Sequence, residues 1–169
     1  TAHHLLLSDA AVRDSVYDPN TRLMPPLRSE DDRLALLQAL KAGTLDSVCS
    51  QHEPLTRAEK EFEFELAQPG AVGIQTAFNE TVEALNGDLA MAIQVLSVGP
   101  GAILGLKRHI KNDSEANFLL WDPKEKWTVS KDTLLSRCTN SSILGREFMG
   151  RVVATYRQGK EIHRSSVVP

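Results

Sequence analysis

The sequence predicts an α/β fold of which this chain holds one portion, followed by a small β-rich module, and three observations carry that reading. A helix signal passes through Gly43-Thr44 directly into a short apolar run, Leu45 to Cys49, the αβ connection of a parallel sheet. Helical and extended patterns alternate through the first hundred or so residues, whereas from Glu115 onward short strands and tight turns take over. A closed α/β barrel needs roughly 250 residues, so a chain of 169 residues is expected to hold only its last one or two βα units plus an appended module. The expected division is 1–110 for the barrel units and 111–169 for the module.

Taken in order, Leu5-Leu6-Leu7 ends at Ser8-Asp9 and reads as a buried strand or its exit loop. Tyr17 to Arg28 is a loop, because Asp18-Pro19-Asn20 signals a turn and Pro25-Pro26 cannot join a ladder or a helix interior. Ser29 is placed to cap a helix whose first turn holds Glu30, Asp31 and Asp32, where the helix dipole favours anions. Its apolar positions are Leu34, Leu36, Leu37 and Leu40, with Arg33 toward solvent, and Gly43 suits the residue after the cap. Leu45 to Cys49 is then a strand and Gln51 to Gly73 the functional loop that leaves its C-terminal end. Helical spacing returns over Thr76 to Leu85 and Asp88 to Val98, with Asn86-Gly87 as the hinge and a turn expected at Gly99-Pro100-Gly101 before one more short helical piece. In the tail, Phe118 to Trp121, Trp127 to Val129, Arg151 to Tyr156 and Glu161-Ile162 read as strands.

Composition narrows the function classes. With 19 basic against 22 acidic side chains and a net charge of −3, the chain carries no footprint for nucleic acid, whose binding depends on concentrated Lys and Arg. The uncharged run Leu89 to Leu106 is broken by glycines and a proline and does not read as a membrane span. Cys49 and Cys138 stand far apart without metal spacing, and they read as reduced thiols of a cytoplasmic protein. Thr1-Ala2-His3-His4 has neither the basic nor the apolar region of a signal peptide and no initiating Met, so a processed form or a piece of a longer protein is expected.

The loop after Leu45–Cys49 carries Ser50-Gln51-His52-Glu53-Pro54-Leu55. Together with Thr1-Ala2-His3-His4-Leu5-Leu6-Leu7, Pro25-Pro26-Leu27-Arg28, Asp32-Arg33, Gly43-Thr44-Leu45-Asp46, Pro69-Gly70-Ala71-Val72-Gly73 and Ile103-Leu104-Gly105-Leu106, it resembles the dihydroorotases. Asp122-Pro123, Trp127-Thr128-Val129, Gly150-Arg151-Val152, Thr155 and Gly159-Lys160 fit that family's tail, so the resemblance runs along the whole chain. It implies the C-terminal portion of a (β/α)8 amidohydrolase barrel with a β-rich module. It also implies zinc-dependent opening and closing of the dihydroorotate ring in pyrimidine synthesis. The family's metal is held by an HxH pair on an early strand, by ligands on middle strands and by an Asp at the end of the last strand, and only that Asp position falls inside this chain.

At that position stands Gln51. The family's Asp ligates the metal and shuttles the proton of its bound water, which a neutral amide cannot accept near neutral pH. Loss of such a base alone costs about 10²–10⁴ in rate. Met24 stands where the family has a substrate-contacting Asn, and Leu55 where it has a substrate-binding His. Pro69 and Gly70 match a segment whose backbone contacts substrate in the family. Hence no catalytic residue is expected to be intact and no metal or other cofactor is expected in this chain. The resemblance with these departures implies a non-catalytic dihydroorotase-like protein that assembles with aspartate carbamoyltransferase. The alternative is an active cyclic amidohydrolase in which an upstream residue replaces the missing carboxylate.

Other candidates read more plainly. Glu53, two residues from Gln51, would be misplaced as a substitute base by about 6.6 Å, the length of a dipeptide in a strand. His3-His4 reads as a packed or capping element, His52 as a support of its loop and Arg28 as a solvated charge. His109 and His163 are given no role. Glu61-Phe62-Glu63-Phe64-Glu65 alternates like a half-buried extended piece.

Overall fold

The computed structural model describes residues 1–106 and 110–165, so His109 lies outside the described residues. Among the described residues, seven α-helices occupy the first part: α1 (Ala2–Leu6), α2 (Ala10–Asp14), α3 (Glu30–Lys41), α4 (Arg57–Lys60), α5 (Ala77–Ala84), α6 (Leu89–Ile93) and α7 (Gly99–Ile103). Three strands follow, β1 (Phe118–Thr128), β2 (Glu147–Arg157) and β3 (Lys160–Arg164), in one antiparallel sheet of order β1-β2-β3.

Helix α3 forms where its caps place it. Ser29 Oγ accepts from the Asp32 N–H at 3.2 Å, three acids fill the first turn, and Gly43 closes the end at φ +72°. Leu37 and Leu40 face inward, but Leu34 is exposed, and Arg33 turns partly inward to donate from Nη1 to the Leu5 carbonyl at 2.9 Å. The main core gathers Leu37 and Leu40 with Ala2 and Leu5 of α1, Val82 of α5, Leu85, Val48 and Val95. A second core sits under the sheet, where Trp127, Val129 and Phe148 meet Val72, Leu134 and Ile143.

The structure corrects four local expectations. Leu5 and Leu6 belong to a helix, not a strand, because Ala2 and Leu5 must both reach the core shared with α5, and a short apolar run is compatible with either period. Leu45–Cys49 is not a strand and joins no ladder: its bonds run singly, Val48 N–H to the Val95 carbonyl and Ala2 N–H to the Cys49 carbonyl. The expected turn at Gly99-Pro100-Gly101 is absent. A π-helical turn, Gln94–Val98, joins α6 to α7, Pro100 lies in the first turn of α7, and Gly99 packs on the Asp46 carbonyl where no side chain would fit. Finally, Phe62 is exposed and Phe64 meets Tyr17 edge to face at 5.7 Å within a series of turns, so the alternating segment is not extended.

In the tail, the expected strands either side of Asp122-Pro123 are one strand, β1, with its register shifted between Asp122 and Lys126. Gln158 and Gly159, at φ +52° and +74°, make the tight turn between β2 and β3. No helix among the described residues is long and apolar enough to cross a membrane. Both cysteines are free.

Candidate functional site

Three loops meet where the sequence placed the site. The first runs from Arg22 to Arg28, the second from Ser50 to Leu55 and the third from Pro69 to Gly73. His52 and Ala71 form an isolated parallel bridge, and the Glu53 N–H donates to the Ala71 carbonyl at 2.9 Å. The Gly70 N–H donates to the Arg22 carbonyl at 2.8 Å. Arg22 reaches back through Nη1 to the Ala67 carbonyl.

Gln51 and Met24 are brought together: Gln51 Nε2 donates to the Met24 carbonyl. Gln51 holds the left-handed conformation at φ +46°, which is costly for a residue with a side chain, and its Oε1 is buried without a hydrogen-bond partner. The Met24–Pro25 peptide is cis. Leu55 is joined to the same group of loops by its backbone, whose N–H donates to Asn140 Oδ1 at 3.0 Å. Gly70, at φ +137°, is engaged on both sides, since its carbonyl accepts from Lys60 Nζ at 3.1 Å and Asn140 Nδ2 at 3.2 Å. The Glu53 side chain lies against Gly70, so closely that a methyl there would sit 2.8 Å from Oε2. Arg28 is largely exposed and pairs only with Asp32 at 3.7 Å.

Asn140, Glu80 and Thr76, which the sequence did not single out, hold these loops in place together with His52 and His3. Asn140, buried in the loop before β2, donates to the Glu53 and Gly70 carbonyls and accepts from Leu55, clamping two loops at once. His52 Nδ1 accepts from the N–H groups of Gly73 and Ile74 at 3.2 and 3.4 Å. Beneath them, His3 Nδ1 bonds Glu80 Oε2 at 2.7 Å and Thr76 Oγ1 donates to Glu80 Oε1 at 2.6 Å, all three side chains being fully buried or nearly so. His4 is packed as expected: its ring bonds Thr1 Oγ1 at 2.6 Å and the Pro25 carbonyl at 2.9 Å. Burial lowers its pKa below the ordinary value, against the raising effect of the Pro25 bond.

Lys60 is the electrostatic outlier. Its ammonium donates to the Gln68 and Gly70 carbonyls, and burial lowers its pKa to about 8, with Asp18 and Glu53 pulling it up and Arg22 pushing it down. The folded chain therefore holds this proton less tightly than the unfolded chain, and stability rises with pH between about 8 and the ordinary lysine value of 10.5. Denaturant titrations of the wild type and Lys60→Gln across that interval are expected to show the wild type gaining stability relative to the variant. A parallel course of the two would exclude this account.

The donor set can be judged from these contacts. Gln51 offers a neutral amide whose Nε2 donates to the Met24 carbonyl, Met24 a thioether and Leu55 no polar group, so none of these three side chains supplies a carboxylate to accept a proton near neutral pH or to ligate zinc. No group of three or more His, Cys, Asp or Glu among the described residues could hold a metal ion. Gln51, Met24 and Leu55 offer zinc no carboxylate, imidazole or thiolate.

Comparison with known proteins places the chain. No protein-family profile matches it. It is 37% identical over 165 residues to a protein named dihydroorotase from Elusimicrobium minutum, covering 95% of this chain and 38% of that protein. It is likewise 37% identical over 166 residues to a dihydroorotase from Geobacter metallireducens, with 96% and 39% covered. In three dimensions it superposes on a D-hydantoinase (dihydropyrimidinase) from Thermus sp. with a TM-score of 0.82 at 24% identity over 96% of this chain and 38% of that one. It also superposes on an L-hydantoinase from Arthrobacter aurescens with a TM-score of 0.84 at 20% identity, over 99% and 39%. The chain spans less than two fifths of the length of these relatives. Along nearly its whole length the chain is similar to proteins named dihydroorotase, and its fold is that of a portion of the hydantoinases.

Proposed function

We propose that the protein is a non-catalytic, cytoplasmic dihydroorotase-like component of pyrimidine biosynthesis, and that it acts as a structural partner of aspartate carbamoyltransferase. The observation that carries the loss of catalysis is Gln51, a neutral amide whose Nε2 donates to the Met24 carbonyl, at the position of the family's metal-binding and proton-shuttling Asp. Met24 and Leu55 remove two further polar functions from the same loops, and the Gly70 backbone, which contacts substrate in the family, is satisfied within the chain by Arg22, Lys60 and Asn140. A scaffold that has lost its chemistry while keeping a buried polar framework, His3–Glu80–Thr76 and Asn140, has been kept for its shape. The partnership rests on the resemblance.

The experiment is co-elution of the protein with the purified catalytic chain of aspartate carbamoyltransferase from the same organism in size-exclusion chromatography. A stable joint peak that changes the assembly state of the carbamoyltransferase is expected. Separate elution at concentrations above 10 μM, an affinity near −7 kcal/mol by about the 1.4 kcal/mol-per-decade rule, would overturn the partnership and leave the catalytic reading to be judged by itself.

A further inference from the structure

A cleft of about 710 Å³ lies between the sheet and the segment 72–79, which runs into the start of α5, and none of Met24, Gln51, Leu55, Pro69 or Gly70 lines it. That volume suits one small molecule. Its walls combine the aromatic side chains of Phe78 and Trp127 with Leu119 and Val152, while no Asp or Glu lines it among the described residues. An anion entering it meets no like charge on the wall.

Two groups in this cleft are set to receive an oxyanion. The Arg151 guanidinium lies over the Trp127 ring at 5.8 Å and is fixed at one end by Nη1, which donates to Glu125 Oε1 at 2.9 Å. The ring contact and the ion pair anchor it, and the Nε–Nη2 edge, which has no protein partner among the described residues, is a fork of the kind that matches a carboxylate or phosphate in two parallel bonds. His52 contributes the second. Because the Gly73 and Ile74 N–H groups point at its Nδ1, that atom is the acceptor and the proton resides on Nε2, so the ring brings a donor to the cleft. Arg164 and His163 stand at the same cleft, though Glu161 already takes the Arg164 guanidinium.

We propose that this cleft is a binding site for a small planar ring carrying an oxyanion, gripped by Arg151 and seated along the Phe78–Trp127 wall. The inference does not depend on the absence of catalysis or on the carbamoyltransferase.

The test titrates the purified protein with phenyl phosphate and with benzoate by isothermal calorimetry, with inorganic phosphate and phenol as controls lacking the ring or the charge. Saturable binding of both ring-bearing anions at one site is expected, at least tenfold tighter than either control. Arg151→Gln is expected to weaken it about tenfold or more, the usual loss for a hydrogen-bonded charge, and Arg151→Lys less, since the charge stays and the fork is lost. Arg151 also pairs with Glu125, so a variant that leaves this framework untouched completes the test: Leu135 is 71% exposed at the rim, and Leu135→Glu places a carboxylate at the mouth. It is expected to weaken binding severalfold with an unchanged circular dichroism spectrum. Absence of saturable binding, equal binding of a control, or binding indifferent to both Arg151→Gln and Leu135→Glu overturns the proposal.

Discussion

Glu80→Ala is expected to lower the unfolding free energy by about 2–4 kcal/mol, because each buried polar group that loses its partner costs about 1–3 kcal/mol. Glu80 is fully buried in α5 and is shared by His3 Nδ1 at 2.7 Å and Thr76 Oγ1 at 2.6 Å, so truncation leaves the imidazole Nδ1 without its partner in a dry interior and leaves the hydroxyl to the Gly73 carbonyl at 3.3 Å. The same pair ties α1 to α5 directly under the loops of Gln51 and Gly73, and those loops are expected to loosen with it. Urea denaturation of the variant against the wild type measures the effect. A loss below about 1 kcal/mol, the level of an ordinary exposed ion pair, would show that the triad is not a structural centre.

Gly73→Ala has the second large effect. A methyl at Gly73 would lie 2.5 Å from the Ser50 carbonyl oxygen and 2.7 Å from His3 Nε2, neither of which can swing aside, one being backbone and the other a ring held by Glu80. Forcing such an overlap costs about 1–3 kcal/mol, and the upper end is expected because backbone must move. The displacement falls on Ser50, next to Gln51, so the variant is also expected to show faster amide exchange over residues 50–55. Wild-type stability and wild-type exchange in Gly73→Ala would refute the close approach.

Much of this could be read from the residues alone, and the misses have physical causes. Helix α3 was legible because its cap, acidic first turn and Gly43 all lie within the helix's own span. The β2–β3 turn was legible for the same reason. The end of α1 and the run through Gly99-Pro100 were not, because long-range packing decided them: Leu5 against α5, and Gly99 against the Asp46 carbonyl. Leu45–Cys49 was read as a strand, but strand status needs neighbours that the described residues do not supply.

The site divides in the same way. That Gln51, Met24, Leu55 and Gly70 gather in one place followed from the resemblance. Asn140 was missed because its role is set by three backbone groups far from it in sequence, and a lone Asn in a polar loop gives no local sign of that. Glu80 and Lys60 were missed because a charged residue at helical spacing reads as a solvated position, whereas both are buried here. His52 was expected to support its loop, and its contacts with Gly73 and Ile74 show how.

The most direct test of the central claim is dihydroorotate turnover by the purified protein, wild type and Gln51→Asp, with the zinc content of both measured on the same samples. The account predicts zinc well below one equivalent in the wild type and no turnover in either form, since restoring the carboxylate leaves Met24 and Leu55 in place of the family's substrate contacts. Stoichiometric zinc with measurable turnover in the wild type, or appreciable turnover on Gln51→Asp alone, would contradict it.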